Sequence, residues 1–136
     1  MAGDVRPRIL IVEDDRMLIK VLKSMLEYAG YDVNAVENGS EGLEQVEEAP
    51  PELVILDLGL PDISGYKVCQ HIRRRFQSWD LPVLILTGRE RPSDQLRGFA
   101  HGADAYLTKP CDPPELLKTV ALLLGGKPHD NGSAPE

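Results

Sequence analysis

The chain has 136 residues, of which 42% are hydrophobic and 27% are charged. This composition is typical of a globular domain and excludes wholesale disorder, and the length suits one domain with a proper core. The formal net charge of −7 argues against direct contact with nucleic acid, because binding a phosphate backbone requires a basic surface.

The cysteines and the N-terminal residues give no sign of export. Cys69 and Cys111 form neither a CxxC pair nor a cluster with zinc spacing, and two thiols do not make a disulfide framework. Residues 1–8 contain no apolar core of a signal peptide, and no apolar run approaches the length that spans a bilayer. We therefore predict a cytoplasmic protein with no membrane partner.

Short apolar runs alternate with helical patterns along the chain. Runs of Ile, Leu and Val bounded by polar residues are typical of buried parallel strands, and apolar positions three and four residues apart are typical of helices. In chain order, the predicted elements are a strand at 9–12, a helix between the N-cap Asp15 and Gly30, a weaker strand at 32–36, a helix at 40–48, a strand at 53–56, a helix at 64–77, a strand at 83–86, a helix at 93–101, a weaker strand at 105–108 and a helix at 114–124.

Five repeats of strand and helix predict an α/β fold with a single parallel sheet and helices on both of its faces. The doubly wound, flavodoxin-like five-stranded sheet with strand order 2-1-3-4-5 is the natural candidate. We expect this domain at residues 8–124, after an N-terminal lead at 1–7. Residues 125–136 have the Gly, Pro and Ser content of a flexible tail or a linker stub.

The same patterns predict where several side chains lie. Leu96 and Phe99 are expected on the inner face of the fourth helix, and Trp79 is expected to pack at one end of the sheet. The arginine run at residues 73–75 is expected on a solvated helix face, since charge runs are usually solvated.

Polar residues follow the apolar strands at their carboxyl ends, where ligand sites of doubly wound sheets lie. These residues are Glu13, Asp14 and Asp15 after the first strand, Asp57 after the third, Thr87 and Gly88 after the fourth, and Lys109 after the fifth. Crowded carboxylates either have raised pKa values or recruit a cation, and Mg²⁺ prefers carboxylates, water and phosphate oxygens. A carboxylate is also a nucleophile toward phosphorus. The sequence therefore predicts Mg²⁺-dependent phosphoryl chemistry at this edge.

Four segments resemble the signatures of the receiver domains of bacterial response regulators in two-component signalling. They are ILIVEDD at 9–15, LVILDLGLPDISG at 53–65, LILTG at 84–88 and ADAYLTKP at 103–110. One of these segments alone would be weak support, but all four occur in order and at receiver-like separations. The resemblance covers about residues 8–124 and implies a fold like that of the chemotaxis regulators.

The resemblance implies a phosphoryl acceptor and a metal site. Asp57 corresponds to the acceptor. The carboxylates of Glu13, Asp14 and Asp57 and the backbone carbonyl of Gly59 correspond to the Mg²⁺ site. Within it, Asp14 would bind the metal directly and Glu13 would act largely through water.

The resemblance also implies phosphoryl contacts and a conformational switch. Thr87, Gly88 and Lys109 correspond to the groups that contact the phosphoryl oxygens, and Thr87 and Tyr106 correspond to the switch pair. The peptide bond between Lys109 and Pro110 corresponds to one that is cis in receivers.

Each of these residues alone has an ordinary structural explanation, and only their joint occurrence favours a functional site. Asp57 could end a strand, the acids after the first strand could cap a helix, and Lys109 could be a solvated lysine. Two other functions stay open. One is a phosphorylation-independent docking module, and the other is a phosphatase with an aspartyl nucleophile. Such phosphatases usually have a second Asp two residues on, where this chain has Gly59.

The predicted function is a signalling switch, whose only catalysis is its own phosphorylation and dephosphorylation. A histidine kinase or a histidine phosphotransfer protein would supply the phosphoryl group to Asp57. The face formed by helix 4, strand 5 and helix 5 would then change its affinity for an unidentified downstream protein. A homodimer stays open, as does the choice between a stand-alone regulator and a part of a longer protein.

Overall fold

The computed structural model describes residues 5–125, in which five strands alternate with five helices. The strands are β1 (Arg8–Val12), β2 (Asp32–Val36), β3 (Leu53–Leu56), β4 (Val83–Thr87) and β5 (Ala105–Thr108). The helices are α1 (Arg16–Tyr28), α2 (Gly39–Glu48), α3 (Gly65–Arg75), α4 (Pro92–Ala100) and α5 (Pro113–Gly125). All strands pair in parallel in the order β2-β1-β3-β4-β5, so the predicted fold class and strand order are confirmed.

The position of each strand in the sheet explains how clearly the sequence predicted it. The central strands β3 and β4 are buried along their whole length, and β1 is buried in all but its first residue. A strand covered on both faces needs a continuous apolar run, which is easy to recognise. The edge strands β2 and β5 are mostly exposed or half-buried, and their sequences are correspondingly mixed.

Helices cover both faces of the sheet and form two apolar layers. Successive side chains of a strand point to opposite faces, so each strand contributes to both layers. The first layer packs the strands against α2 and α3 through Val46, Val68, Cys69 and Ile72. The second layer packs them against α1 and α5 through Leu22, Leu26, Leu116, Val120 and Leu124.

Local signals set the helix ends close to their predicted positions. The carboxylate of Asp15 accepts hydrogen bonds from the amides of Met17 and Leu18 and so caps α1. Gly30 follows α1 with a φ of 104°, a left-handed conformation that glycine adopts readily. The largest difference of the three is in α3, which ends at Arg75, two residues before its predicted end. It ends there because the backbone of Phe76 is already in an extended conformation.

Two expectations about apolar side chains are wrong. Leu96 and Phe99 in α4 are 71% and 46% exposed, and Trp79 is 62% exposed. The inner face of α4 instead consists of polar groups and a glycine, so the apolar pattern in the sequence indicated the wrong face. Trp79 lies in the segment between α3 and β4 and does not pack into the core.

The arginine run is solvated only in part. The side chain of Arg73 is 16% exposed and forms a salt bridge with Asp104, which is 18% exposed. The guanidinium also donates to the carbonyls of Gly102, Phe76 and Leu81. Arg73 therefore ties the end of α3 to the segments before β4 and β5.

The proposed lead (1–7) and tail (125–136) lie mostly outside the described residues. Of these segments, residues 5–7 precede β1, and Gly125 is the last residue of α5. Among residues 5–125, every helix is too short or too polar to cross a bilayer.

The Arg73–Asp104 pair gives a first prediction. Replacing Arg73 with alanine leaves the largely buried Asp104 carboxylate without its cation and three backbone carbonyls without a donor. This loss should cost about 3 kcal/mol of unfolding free energy. The exposed Arg74→Ala variant is the control and should change stability by less than about 0.5 kcal/mol. Urea unfolding of both variants measures the difference, and equal losses would contradict a structural role for Arg73.

The two thiols give a second prediction. Burial raises the pKa of Cys69 to about 11, whereas an unfolded thiol titrates near about 8.5. The folded state thus favours the protonated thiol, and the resulting stability is present below about pH 8.5 and lost as the pH rises toward 11. Iodoacetamide at about pH 8.5 should modify the half-buried Cys111 first and Cys69 only in concentrated urea. Equal native rates by peptide mass mapping would contradict this.

Candidate functional site

The sheet brings two acidic segments to one edge. The amide of Asp57 donates to the carbonyl of Val12 (3.0 Å), and the amide of Glu13 donates to the carbonyl of Val36 (3.1 Å). The ladder thus continues one residue beyond β1 and β3, which fixes the backbone of both acids. Their side chains begin where the apolar strands end.

Three carboxylates form a cluster at this edge. One oxygen each from Glu13, Asp14 and Asp57 lies within 4.8 Å of the other two. Glu13 and Asp57 are only 3% and 7% exposed, whereas Asp14 is exposed. Like charges this close repel one another and favour a bound cation. Hard carboxylate oxygens with one open side are the donors that Mg²⁺ prefers, so the cluster fits that ion.

Lys109 is the cation that lies beside the cluster. Its Nζ donates to Oε1 of Glu13 (2.8 Å) and lies 3.6 Å from Oδ1 of Asp57. Burial raises the pKa of Glu13, although Lys109 and the amide of Asp15 act to lower it. Burial alone would lower the pKa of Lys109, but its contacts with Glu13 and Asp57 raise it. Lys109 therefore stays charged and within reach of both buried carboxylates.

Three further predicted residues lie along the same edge. Thr87 ends β4 and is 2% exposed, and its carbonyl accepts from the amide of Lys109 (2.8 Å). Gly88 follows it and is exposed. Gly59 is also exposed, and a Cβ at this position would lie 3.8 Å from Oδ2 of Asp57. The peptide bond between Lys109 and Pro110 is cis.

The loop after Asp57 approaches the helices closely. A Cβ at Gly65 would collide with the carbonyl oxygen of Asp57, so this position requires glycine. The amide of Gly65 donates to the carbonyl of Leu58 (3.1 Å), and Ser64 caps α3 through the amide of Tyr66. The start of α3 is therefore packed directly against the acceptor position.

Tyr106 connects β5 to α4 and to the loop after β4. It is half-buried, and its hydroxyl donates to the carbonyl of Arg89 (2.8 Å). A Cβ at Gly98 would lie 3.1 Å from its ring and 3.0 Å from Ile85, so α4 sits tightly on these side chains. Burial raises the pKa of Tyr106 to about 12, and the hydroxyl stays protonated as a donor.

A second tyrosine supports α4, and the sequence did not indicate it. Tyr66 of α3 is 2% exposed, and its hydroxyl donates to the carbonyl and the carboxylate of Asp94 (3.2 and 3.3 Å). The guanidinium of Arg97 lies 4.3 Å from its ring centroid, and the His101 ring lies 5.6 Å away. One tyrosine therefore contacts two turns of α4 and the residue that follows the helix, on the side opposite to the exposed Leu96 and Phe99.

The structure brings most of the predicted site together. Glu13, Asp14, Asp57 and Lys109 form one contiguous group, and Thr87, Gly88 and Gly59 lie at the same edge. Tyr106 lies within β5, two residues before the end of the strand, and faces α4. The arrangement can bind a hard cation, present a carboxylate nucleophile and offer an ammonium group to an anion.

Comparison with known proteins agrees with this geometry. A model of the response regulator receiver domain matches residues 9–121. The chain is 44% identical over 118 residues to the DNA-binding dual master transcriptional regulator RpaA of Synechocystis sp., covering 87% of the chain and 49% of RpaA. It is 40% identical over 124 residues to the phosphate regulon transcriptional regulatory protein PhoB of Rhizobium meliloti, covering 90% and 55%. The chain therefore spans about half the length of the curated relatives it matches.

Solved structures show the same fold. A CheY-like response regulator receiver domain protein from Methanospirillum hungatei superposes with a TM-score of 0.81 at 30% identity, covering 88% of this chain and 94% of that one. The chemotaxis protein CheY4 of Vibrio cholerae gives 0.81 at 29% identity, covering 88% and 99%. The strand order, the acidic edge of the sheet and a family match over most of the residues together identify the chain as a member of the response regulator receiver domain family.

Proposed function

We propose that the chain is a phosphorylation switch in which Asp57 accepts a phosphoryl group while Glu13, Asp14, Asp57 and the Gly59 carbonyl hold Mg²⁺. The observation that carries this proposal is the cluster of three carboxylates within 4.8 Å, beside a lysine that already contacts two of them. Two of these carboxylates are buried, where the repulsion between like charges is least screened by water and a bound cation would relieve it.

The transfer follows from the chemistry of the groups present. A carboxylate oxygen of Asp57 attacks phosphorus as the bond between phosphorus and a phosphohistidine nitrogen breaks. The electron pair of that bond stays on the imidazole, and the product is an acyl phosphate. Bound Mg²⁺ would offset the negative charge of the phosphoryl oxygens. Lys109 would pair with one of these oxygens, and the hydroxyl of Thr87 would donate to another.

The switch uses Thr87 and Tyr106. When the hydroxyl of Thr87 turns toward the phosphoryl group, it vacates space near the end of β4, and the ring of Tyr106 moves into that space. The hydrogen bond from Tyr106 to the Arg89 carbonyl would then break, which frees the loop before α4. The face formed by α4, β5 and α5 would change its affinity for a downstream protein.

The expected partners follow from family membership. Response regulators receive their phosphoryl group from a histidine kinase or a histidine phosphotransfer protein, which this chain would meet in the cytoplasm. RpaA is named as a DNA-binding regulator, and the chain corresponds to about half of it. We propose protein contacts, and no direct DNA contact, for the described domain.

Two other functions have less support. A phosphatase with an aspartyl nucleophile usually has an acid two residues after it, and this chain has the exposed Gly59. A docking module without phosphorylation would have no use for Lys109 held between Glu13 and Asp57.

The direct test is intact mass after incubation with acetyl phosphate. Wild-type protein should gain one phosphoryl group with Mg²⁺ and none with EDTA, and Asp57→Asn should gain none because the nucleophile is lost. Circular dichroism of Asp57→Asn checks that the variant is folded. A folded wild type that binds Mg²⁺ but gains no adduct would instead favour the docking module.

The crowding of the acids gives a second test. Two like charges about 4–5 Å apart repel by about 1 kcal/mol even in water. Asp14→Asn should therefore raise the unfolding free energy by about 1 kcal/mol in EDTA. It should also remove most of the stabilisation that Mg²⁺ gives the wild type, because a ligand stabilises only the state that binds it.

Asp32→Asn is the matched control for this test, since Asp32 is an exposed carboxylate at the start of β2. Urea unfolding with and without Mg²⁺ measures both effects. An Asp14→Asn variant that keeps the full Mg²⁺ stabilisation would contradict the metal site.

A further inference from the structure

We infer that Asp62 is a positioning residue for the metal site, because it fastens the loop after the acceptor (residues 58–64) to the N-terminus of α2. In this way it holds the Gly59 carbonyl where a metal can use it. The inference rests on the proposed function of the Asp57 site and adds to it a residue outside the acidic cluster.

Both carboxylate oxygens of Asp62 accept hydrogen bonds, and the donors belong to a different element of the fold. Its Oδ1 accepts from the amide of Gly39, and its Oδ2 accepts from the amide of Ser40, both at 2.8 Å. These are the first two residues of α2, and the side chain of Asn38 serves a different amide, that of Glu41. Asp62 and Asn38 therefore share the capping of one helix, although Asp62 lies more than 20 residues further along the chain.

Asp62 is the main polar tether of its loop. Within residues 5–125, a hydrogen bond between Leu58 and Gly65 closes the loop at the start of α3. Apart from that bond, the hydrogen bonds that join residues 58–63 to helices of the described chain both end on Asp62. Next to it, a Cβ at Gly39 would lie 2.5 Å from the side chain of Ile63, so the loop and the helix are already in tight contact.

The N-terminus of a helix is a favourable position for the carboxylate of Asp62. A carboxylate at a helix N-terminus gains from the free amides and from the helix dipole. Desolvation alone would raise the pKa of Asp62, but the amides of Gly39 and Ser40 outweigh it and hold the pKa well below its ordinary range. The carboxylate therefore stays ionised and keeps both of its oxygens as acceptors.

The tether matters because Gly59 has no side chain to fix its own position. Leu58 is buried at 1% exposure and anchors the backbone on one side of Gly59. Asp62, three residues later, anchors it on the other side. Mg²⁺ demands a nearly ideal octahedral geometry, so a carbonyl ligand on a loose loop would bind it poorly.

Two variants of Asp62 separate geometry from charge. Asp62→Ala and Asp62→Asn lose the same charge, but asparagine keeps one acceptor oxygen for an α2 amide. NMR titration with MgCl₂ alone measures the Mg²⁺ dissociation constant. Acetyl phosphate labelling at varied Mg²⁺ gives the concentration for half-maximal rate, and thermal unfolding reports stability. Glu44→Ala, an exposed carboxylate loss on α2, is the control.

Asp62→Ala should raise the Mg²⁺ dissociation constant by roughly tenfold, the size of effect seen when a group that orients a metal ligand is removed. The half-maximal Mg²⁺ concentration should rise in parallel, while the rate at saturating Mg²⁺ stays near that of the wild type. Asp62→Asn should recover part of the affinity, and Glu44→Ala should keep all of it.

Three results would overturn the inference. Lower thermal stability with an unchanged Mg²⁺ dissociation constant would make Asp62 a purely structural cap. Equal losses of Mg²⁺ affinity in Asp62→Ala and Asp62→Asn would mean that the negative charge of Asp62 matters and its hydrogen bonds do not. Absence of Mg²⁺ binding by the wild type would overturn the proposed function as well, whereas the first two results would overturn this inference alone.

Discussion

The crowding of three carboxylates at the end of β1 and β3 is the constraint on which the rest of the structure depends. Glu13 and Asp57 are nearly buried, and the ammonium of Lys109 pairs with both. Ladder hydrogen bonds from the amides of Glu13 and Asp57 fix the backbone from which these two side chains extend. The most deeply buried strands lie directly beside this cluster: β3 and β4 are buried throughout, and Asp57 and Thr87 lie at their carboxyl ends. Stability at the centre of the sheet offsets repulsion at its edge.

Parts of the fold and site that depend on local pattern could be predicted from the sequence. Buried strands require continuous apolar runs, and parallel order then brings Asp57 and the acids after β1 to one edge. Contacts between distant polar groups could not be predicted, because no local pattern encodes them. Tyr66 and Asp94 are 28 residues apart, and Asp62 and Gly39 are 23 apart. Arg73 was misjudged for the same reason, since its partner Asp104 lies 31 residues away.

The two sides of the site are built with different stiffness. On one side, the loop after Asp57 is closed by a bond between Leu58 and Gly65, packed at Gly65 and clamped to α2. On the other side, α4 buries only Gly98 and is supported by polar and aromatic contacts. On the first side, backbone atoms leave no room for a side chain at Gly65, whereas α4 buries little of its own surface. The stiff side suits chemistry that needs fixed ligands, and the looser side suits a change of shape.

The polar support of α4 has a consequence for how such domains diverge. The outward residues of this helix, including Leu96 and Phe99, contribute little to the core, so substitutions there carry a small penalty in folding. The residues that contact Tyr66 lie on the opposite face, so these contacts do not depend on the outer surface of the helix. A lineage can therefore acquire a new partner by changing one side of α4 while the acidic edge and its lysine stay as they are.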